Sequence, residues 1–512
     1  MRFEIAKKLP RNWSYLSIDD VCLQVTSGGT PSRRNANFYE NGKIFWVKTK
    51  ELSDSFIKQT EETITEEAIK KSSAKLLPAN TVLMAMYGAT VGKLGILENE
   101  MACNQACCAL IVDPSIADYR YLFYLLANQR GKIQSLATGA AQQNLSSKQI
   151  KQFEFPFPPI EVQRKVAEII GSIDKKIQLN HQINQTLEQM AQAIFKSWFV
   201  DFEPVKAKME AKKRWHALQP GNEPASPVCY AGEPQPLPDL ETYMNLAAMQ
   251  AISGKTPEQL ACMEREQPDQ YARLRATAEL FPSAMQPSEL GDIPEGWEVV
   301  CLAHLASTIT KGTTPRKSEV ASAKDPATIP FIKVKDISGT GEIIQQCLDH
   351  IPRSIHSGFL KRSILESGDI LFSIAGTIGR IAIVNADLDG ANTNQAVGII
   401  RIKEKSMHLP IIWQTLKSER VQNDISSKIV QGVQANVSLA NLRDIKIIMP
   451  TTKLLEKTAE AHGEILNKII TNQKQIRLLG QIRDTLLPKL LSGEITVPEA
   501  EAQLATTGEV QA

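Results

Sequence analysis

Two strings in this chain look capable of catalytic or metal chemistry, and their spacing argues against both. Gly88-Ala89-Thr90-Val91-Gly92-Lys93 resembles a phosphate-binding loop, in which glycine backbone cradles phosphates and the lysine is followed by a hydroxyl that reaches Mg²⁺. Here the spacing is one residue short and Leu94 stands in the hydroxyl's place, so a glycine-assisted turn between strands is expected. Cys103, Cys107 and Cys108 lie close enough to suggest thiolate ligands, yet no cluster of histidines accompanies them. They read as structural cysteines, and no metal centre is expected. The 7 histidines form no His-Glu-x-x-His pair, no serine sits in a nucleophile elbow, and there is no dinucleotide Gly-x-Gly-x-x-Gly. Phe155-Pro156-Phe157-Pro158-Pro159 lacks the polar residue that amino-group methylation needs. The chain is therefore expected not to be an enzyme and to carry no cofactor of its own.

What does recur is basic and amide-rich, and it recurs because the chain is written twice. Leu9-Pro10 with Trp13 returns as Ile293-Pro294 with Trp297, and Pro31 returns as Pro315 at the same separation. Trp46-Val47-Lys48-Thr49-Lys50-Glu51 pairs with Phe331-Ile332-Lys333-Val334-Lys335-Asp336. Asn104-Gln105-Ala106 pairs with Asn394-Gln395-Ala396, and Asn144-Leu145-Ser146 with Asn436-Val437-Ser438. Cys103 and Cys107 correspond to Thr393 and Val397, which again speaks against a metal site. Thr30, Ser32, Arg33 and Arg34 form a small polar, basic loop, echoed by Thr314, Arg316 and Lys317. Lys48 and Lys50 alternate with apolar neighbours, so a strand would put both on one face, and Lys333 and Lys335 repeat that arrangement. Gln142, Gln143 and Asn144 follow a glycine, as Gln434 and Asn436 do. Arginine and lysine hold phosphates and read guanine, while asparagine and glutamine read adenine. A lysine pair by itself reads as a solvated face; recurrence in both copies makes these residues the candidate DNA contacts. Those shared by the copies should orient a domain, and those that differ should choose a sequence.

The elements that position them follow one grammar in each copy. A mixed segment has short β-type runs, such as 43–48, 81–86 and 329–334, punctuated by Gly, Pro and Asn. A strand bounded by proline closes it, at 153–157 and at 445–449, and a long helix follows. Ile173, Ile177, Leu187, Met190, Ile194 and Trp198 mark the apolar stripe of the first helix. Ile465, Ile469, Leu479, Ile482 and Leu486 mark that of the second. Spacings of three and four sustained over roughly five heptads indicate a coiled coil. Asn180 and Asn472 interrupt the two stripes at equivalent points, either as tolerated polar core positions or as a register-setting pair. From Val162 to Trp198 the first helix would be about 55 Å long at ~1.5 Å per residue. Two such helices in one chain most simply pack antiparallel. Between the copies, 205–218 is rich in lysine and extends or follows the first helix. Residues 219–239 are dense in Pro and Gly, and 240–253 and 257–280 read as helices, the latter opened by the capping sequence Thr256-Pro257-Glu258-Gln259. The tail after Val497, rich in Ala, Glu and Thr, is expected to fray.

The bulk numbers set the bounds. With 512 residues, 43% apolar and 22% charged, the chain reads as a soluble globular protein of about three domains. No apolar run approaches the ~18 residues of a membrane span, and the N-terminus lacks a signal-peptide stretch, so a cytoplasmic protein without membrane contact is expected. Eight cysteines in a chain of this length are not a disulfide framework. A net charge of +2 means that any DNA-binding surface must be a local patch.

GGTPSR (28–33) leading to IFWVKTKEL (44–52), GAAQQNLS (139–146) running into FPFPPIEVQRKVAEII (155–170), AIFKSWFVDFEP (193–204) and LLPKLLSGEI (486–495) together resemble the specificity subunit of type I restriction-modification systems. The resemblance spans about residues 9 to 495. It implies an α+β (mixed) protein: two α/β target-recognition domains separated by a long antiparallel two-helix coiled coil, in a pseudo-twofold internal repeat. The segments would be a first recognition domain at 1–158, a central helix at 159–218, a linker with a helical insertion at 219–290, a second recognition domain at 291–450, a distal helix at 451–494 and a flexible tail at 495–512. Each recognition domain would read one half of a split site in double-stranded DNA. Two methyltransferase subunits and the restriction subunits would be partners, and S-adenosylmethionine, ATP and Mg²⁺ would be used by those partners, not by this chain. The rival readings are a coiled-coil DNA-binding regulator or scaffold without such partners, and a stand-alone methyltransferase or nuclease.

Overall fold

A computed structural model describes residues 1–5, 10–138, 144–218, 229–230, 233–234, 238–345, 348–430 and 436–507. The chain divides into two compact units, Met1–Ile183 with Thr471–Ala512, and Asn184–Ile470. The boundaries therefore fall within the two long helices, Ile160–Phe199 and Thr452–Ser492.

The strands of the first unit are β1 (Ser14–Ser17), β2 (Cys22–Ser27), β3 (Ile44–Val47), β4 (Ser55–Ile57), β5 (Thr63–Ile64), β6 (Val82–Ala85), β7 (Leu94–Leu97), β8 (Ala102–Cys103), β9 (Cys107–Val112) and β10 (Glu154–Phe157). They form a five-stranded sheet in the order β2-β9-β6-β7-β4, a three-stranded sheet β5-β3-β8, and the pair β1-β10. Every residue of β6 and β7 is buried, which is why these segments read as continuous apolar runs rather than alternating ones. The turn between β6 and β7 is the phosphate-loop look-alike. Gly88 and Gly92 have φ of +68° and +78° there, a conformation glycine adopts without a Cβ penalty. Cys103, Cys107 and Cys108 are fully buried in β8 and β9, and burial pushes the Cys108 thiol up to about 12, so they pack as core residues.

The first long helix starts directly after Pro158-Pro159, with Val162 N–H donating to the Pro159 carbonyl at 2.9 Å. Within the first unit the two long helices run antiparallel. Asp174 meets Arg483 at 2.9 Å and Asn180 Nδ2 donates to Gln475 Oε1 at 2.9 Å. Ile173, Leu479 and Leu486 are buried in the core and Ile177 and Ile482 pack against it. Asn180 and Asn472 are only 4% and 3% exposed, so both amides lie inside the helix pair. Asp174 also accepts the Tyr124 hydroxyl at 2.8 Å, tying the helix Tyr119–Asn128 of the first unit to the pair. The tail departs from expectation. Val497–Thr507 is a helix, opened by Thr496, whose N–H and hydroxyl both bind Glu499, and it buries Val497, Ala500 and Leu504 in the core of the first unit. That three-and-four spacing supplies a narrow apolar stripe that the Ala/Glu/Thr composition obscures.

The second unit repeats the plan. Glu298–Cys301 pairs with Lys446–Met449 as β1 does with β10. Its main sheet runs Ala306–Lys311, Val397–Ile402, Ile370–Ser373, Ile381–Ile383, matching β2-β9-β6-β7, with no counterpart of β4 among the described residues. Asp349–Pro352, Ala327–Ile332 and Asn392–Thr393 match β5-β3-β8. On the long helices of this unit Trp198 and Ile469 are buried, while Leu187, Ile194 and Ile465 are half-buried. Met190, placed on the stripe by its spacing, is 51% exposed, and the seam runs instead through Ala191, Phe195 and Trp198. One further expectation is corrected here. Residues 257–280 are not one helix but two, Pro257–Glu266 and Pro268–Glu279, because Pro268 has no N–H to continue the first. The basic run 205–218 follows the first long helix, as expected, within the helix Glu203–Ala217; its Lys208 is 5% exposed and donates to the Phe281 carbonyl at 2.7 Å, and burial pulls its pKa down to about 8. The capping box of Thr256 with Gln259 forms as its sequence predicts. Among the described residues no helix is long and apolar enough to cross a membrane.

Candidate nucleic-acid interface

The loop after β2 is fixed by backbone. Gly28 N–H donates to the Cys107 carbonyl at 3.2 Å and Gly29 N–H to the Cys103 carbonyl at 2.9 Å. In the second copy Gly312 N–H donates to Val397 at 3.0 Å and Thr313 N–H to Thr393 at 3.1 Å. Thr30 Oγ1 then donates to Gln105 Oε1, and Thr314 Oγ1 to Gln395 Oε1. The Thr-Pro loop and the Asn-Gln-Ala loop, far apart in sequence, are thus one unit in both copies. Pro31 and Pro315 are buried beneath it. Tyr39 hydroxyl closes it further in the first copy by donating to the Pro31 carbonyl at 2.6 Å. Ser32, Arg33 and Arg34 lie exposed on its outer edge, as do Arg316 and Lys317.

The lysine pairs are placed differently from the expected strand. β3 ends at Val47, and Thr49–Glu51 is a 3₁₀ turn; in the second copy the strand ends at Ile332 and Val334–Asp336 is the turn. The cause is a carboxylate three residues on. Lys48 N–H donates to Glu51 Oε2 at 2.7 Å and Lys333 N–H to Asp336 Oδ2 at 2.8 Å, which stops the strand as a cap would start a helix. Both lysines of each copy then meet acids. Lys48 pairs with Glu62, Lys50 with Glu61, and Lys333 with Asp349 at 2.5 Å, while Lys335 stands 3.8 Å from Asp349. Arg33 Nη2 is 2.6 Å from Glu62 Oε2, and its guanidinium lies 4.4 Å over the Tyr39 ring and 5.4 Å from that of Trp46. The Lys48 ammonium holds the Glu62 carboxyl below the usual carboxylate range, Lys50 does so for Glu61 and Lys333 for Asp349. Arg34 and Lys317 have no ion pair among the described residues. The acids were missed because only strand pairing brings them to the lysines; the capping acids Glu51 and Asp336 were legible as Lys-x-x-Glu and Lys-x-x-Asp.

Gln142, Gln143 and Gln434 lie outside the described residues. Asn144 bridges to Tyr87 and Asn436 to Ala375, each beside the glycine turn of its copy. Leu145 N–H donates to the Met86 carbonyl and Val437 N–H to the Ile374 carbonyl, both at 2.9 Å. Ser146 and Ser438 cap the following short helices through Gln149 N–H and Asn441 N–H. Thr30, Lys48 and Asn144 therefore sit at the ends of strands that share one set of loops, and the second copy repeats them. That arrangement offers donors, cations and amides at a loop surface, with no cluster of His, Cys, Asp and Glu that could hold a metal ion among the described residues.

A sequence profile described as "Type I restriction modification DNA specificity domain" matches residues 10–189 and 294–482, one match on each copy. The chain is 33% identical over 344 residues to the HindI specificity subunit of Haemophilus influenzae, covering 66% of this chain and 68% of that protein. It is 25% identical over 500 residues to the MjaIX specificity subunit of Methanocaldococcus jannaschii, covering 96% of this chain and 95% of the relative. The crystal structure of a type I restriction-modification S subunit from M. genitalium superposes with a TM-score of 0.50 at 16% identity, over 94% of this chain and 97% of that one, a likeness of fold.

Proposed function

Because the chain belongs to the family of type I restriction-modification DNA specificity subunits, we propose that each of its two recognition domains reads one half of a split site in double-stranded DNA. Supplying sequence specificity is the function of this non-catalytic family, and methyltransferase and restriction activities reside in other subunits. One observation carries the reading to the residues. The same Thr-Pro loop, lysine turn and Asn bridge recur in both copies, while the exposed side chains beside them differ, Arg33 and Arg34 against Arg316 and Lys317.

The recurring residues form the frame. Thr30, Asn144, Thr314 and Asn436 hold loops in register, and Ser32, Arg33, Arg34, Arg316 and Lys317 are the side chains offered to bases and phosphates. Gln142, Gln143 and Gln434 belong to the same proposal, as amides suited to adenine. Lys48, Lys50, Lys333 and Lys335 stand at the rim. The two long helices serve as the spacer between half-sites. Two methyltransferase subunits and the restriction subunits dock on this chain in the cytoplasm. They bring S-adenosylmethionine, ATP and Mg²⁺.

The test is biochemical. Co-expressed with a type I methyltransferase subunit, the chain should copurify with it and retain a duplex carrying the methylated site over a scrambled duplex. Purified alone, it should neither methylate nor cleave DNA. Methylation by the isolated chain would overturn the reading.

A further inference from the structure

We infer that Glu62 and Asp349 are specificity-determining residues that act by suppressing sequence-independent attraction to DNA. The inference rests on reading the recognition loops as DNA-facing. In each copy the aromatic residue ahead of the lysines lies opposite an acid, Glu62 immediately before the neighbouring antiparallel strand and Asp349 at the start of its own. Trp46 N–H donates to the Glu62 carbonyl at 3.1 Å, and Phe331 is registered against Asp349. Two residues further on, ahead of the 3₁₀ turn, the lysine is still extended and so falls on the aromatic's face, with Lys48 Nζ 6.0 Å from the Trp46 ring and Lys333 Nζ 6.0 Å from the Phe331 ring. That placement delivers each ammonium to the opposing acid. Glu62 takes both Lys48 and Arg33, and Asp349 takes Lys333 with Lys335 at its edge. Arg33, Lys48, Lys50, Lys333 and Lys335, five of the cations that made these loops look like phosphate clamps, are therefore already matched to carboxylates in the free protein.

The consequence follows from how proteins bind DNA non-specifically. That binding comes from cations that replace condensed counterions, and each phosphate neutralised contributes a slope of about −0.9 in log affinity against log salt. A cation that must first leave a carboxylate gains little from an arbitrary phosphate. The Lys333–Asp349 pair is exposed and the Lys48–Glu62 pair half-buried. Exposed pairs are worth only about 0–1 kcal/mol, so cognate base contacts that seat the loop can break the Lys333–Asp349 pair, and those that also solvate Lys48 can break the other. The acids thus weaken binding to wrong sequences more than binding to the right one. Arg34 and Lys317, which have no ion pair among the described residues, remain to hold phosphates.

The experiment uses the full chain in complex with its methyltransferase subunits. Affinity for the mapped cognate duplex and for a scrambled duplex is measured across salt for wild type, Glu62→Gln and Asp349→Asn. Each variant should bind the scrambled duplex several-fold more tightly, with a salt slope steeper by about 0.9 for each cation released. The methylated sequence should stay the same while the cognate-to-scrambled ratio falls. Adding Lys48→Met to Glu62→Gln should take back part of the steepened slope, which a merely structural role for Glu62 would not do. Unchanged slopes in both single variants, or a steepening that Lys48→Met leaves intact, would overturn the inference. A wild-type complex with no preference for its own mapped site would overturn the specificity reading itself, and the inference with it.

Discussion

Gly28 and Gly312 sit at close backbone approaches in the equivalent Thr-Pro loops of the two copies. A Cβ on Gly28 would run into the carbonyl oxygens of Cys103 and Asn104, and one on Gly312 into those of Thr393 and Asn394. Backbone oxygens cannot swing aside, so Gly28→Ala should destabilise the first unit by about 1–3 kcal/mol, the usual cost of overpacking. Gly131, helical and with open space around it, is the control, since its replacement by alanine should add up to about 1 kcal/mol. Denaturant unfolding of the two variants checks both signs, and an equally stable Gly28→Ala chain would remove the close packing as the reason for glycine there. At this scale the sequence was readable where the cause is local. The glycine turns at 88–92 and 376–379 and the capping box at Thr256 need only neighbouring residues. Lys48 and Lys50 were misplaced on a strand, and their acids Glu61 and Glu62 were not suspected, because cross-strand register decides both.

Helices were legible in proportion to the length of their pattern. The stripes through Ile173 and Leu479 located the long helices, whereas the eleven-residue helix Val497–Thr507 offers too short a run to outweigh its composition. Met190 fell off the seam because aromatic packing of Trp198 with Phe281 and of Phe199 with Trp297 sets the helix's facing in the second unit. One feature of that helix pair makes a pH prediction. His462 is 5% exposed, with Nδ1 3.1 Å from the Thr458 carbonyl, and burial holds its pKa below the ordinary 6.5. The folded state therefore keeps the ring neutral where the unfolded chain protonates it, so stability is complete above about pH 6.5 and falls as pH drops below it. His462→Leu should flatten that part of the curve. Denaturation midpoints between pH 7.5 and 5 measure this, and a wild-type slope that survives the substitution would assign it to other groups.

The whole molecule is a duplication in which frame and reader separate. Both units keep the sheet order, the Thr-to-Gln hydrogen bond and the acid opposite the aromatic, and they differ at the edge strand Ser55–Ile57 and in the exposed loop side chains. Family and architecture were legible because the copies check each other. The bases that each loop reads were not, since they depend on side-chain geometry and DNA deformation that one chain does not carry. The central claim, that the copies read separate half-sites, is tested most directly by mapping methylation genome-wide in a host that carries this subunit and its partners. Wild type and a variant with Ser32, Arg33 and Arg34 replaced by alanine are compared. The expected result is a motif of two specified blocks separated by unspecified bases, with the substitutions relaxing one block and leaving the other intact. A contiguous motif, or substitutions in the first copy that alter both blocks, would contradict the account.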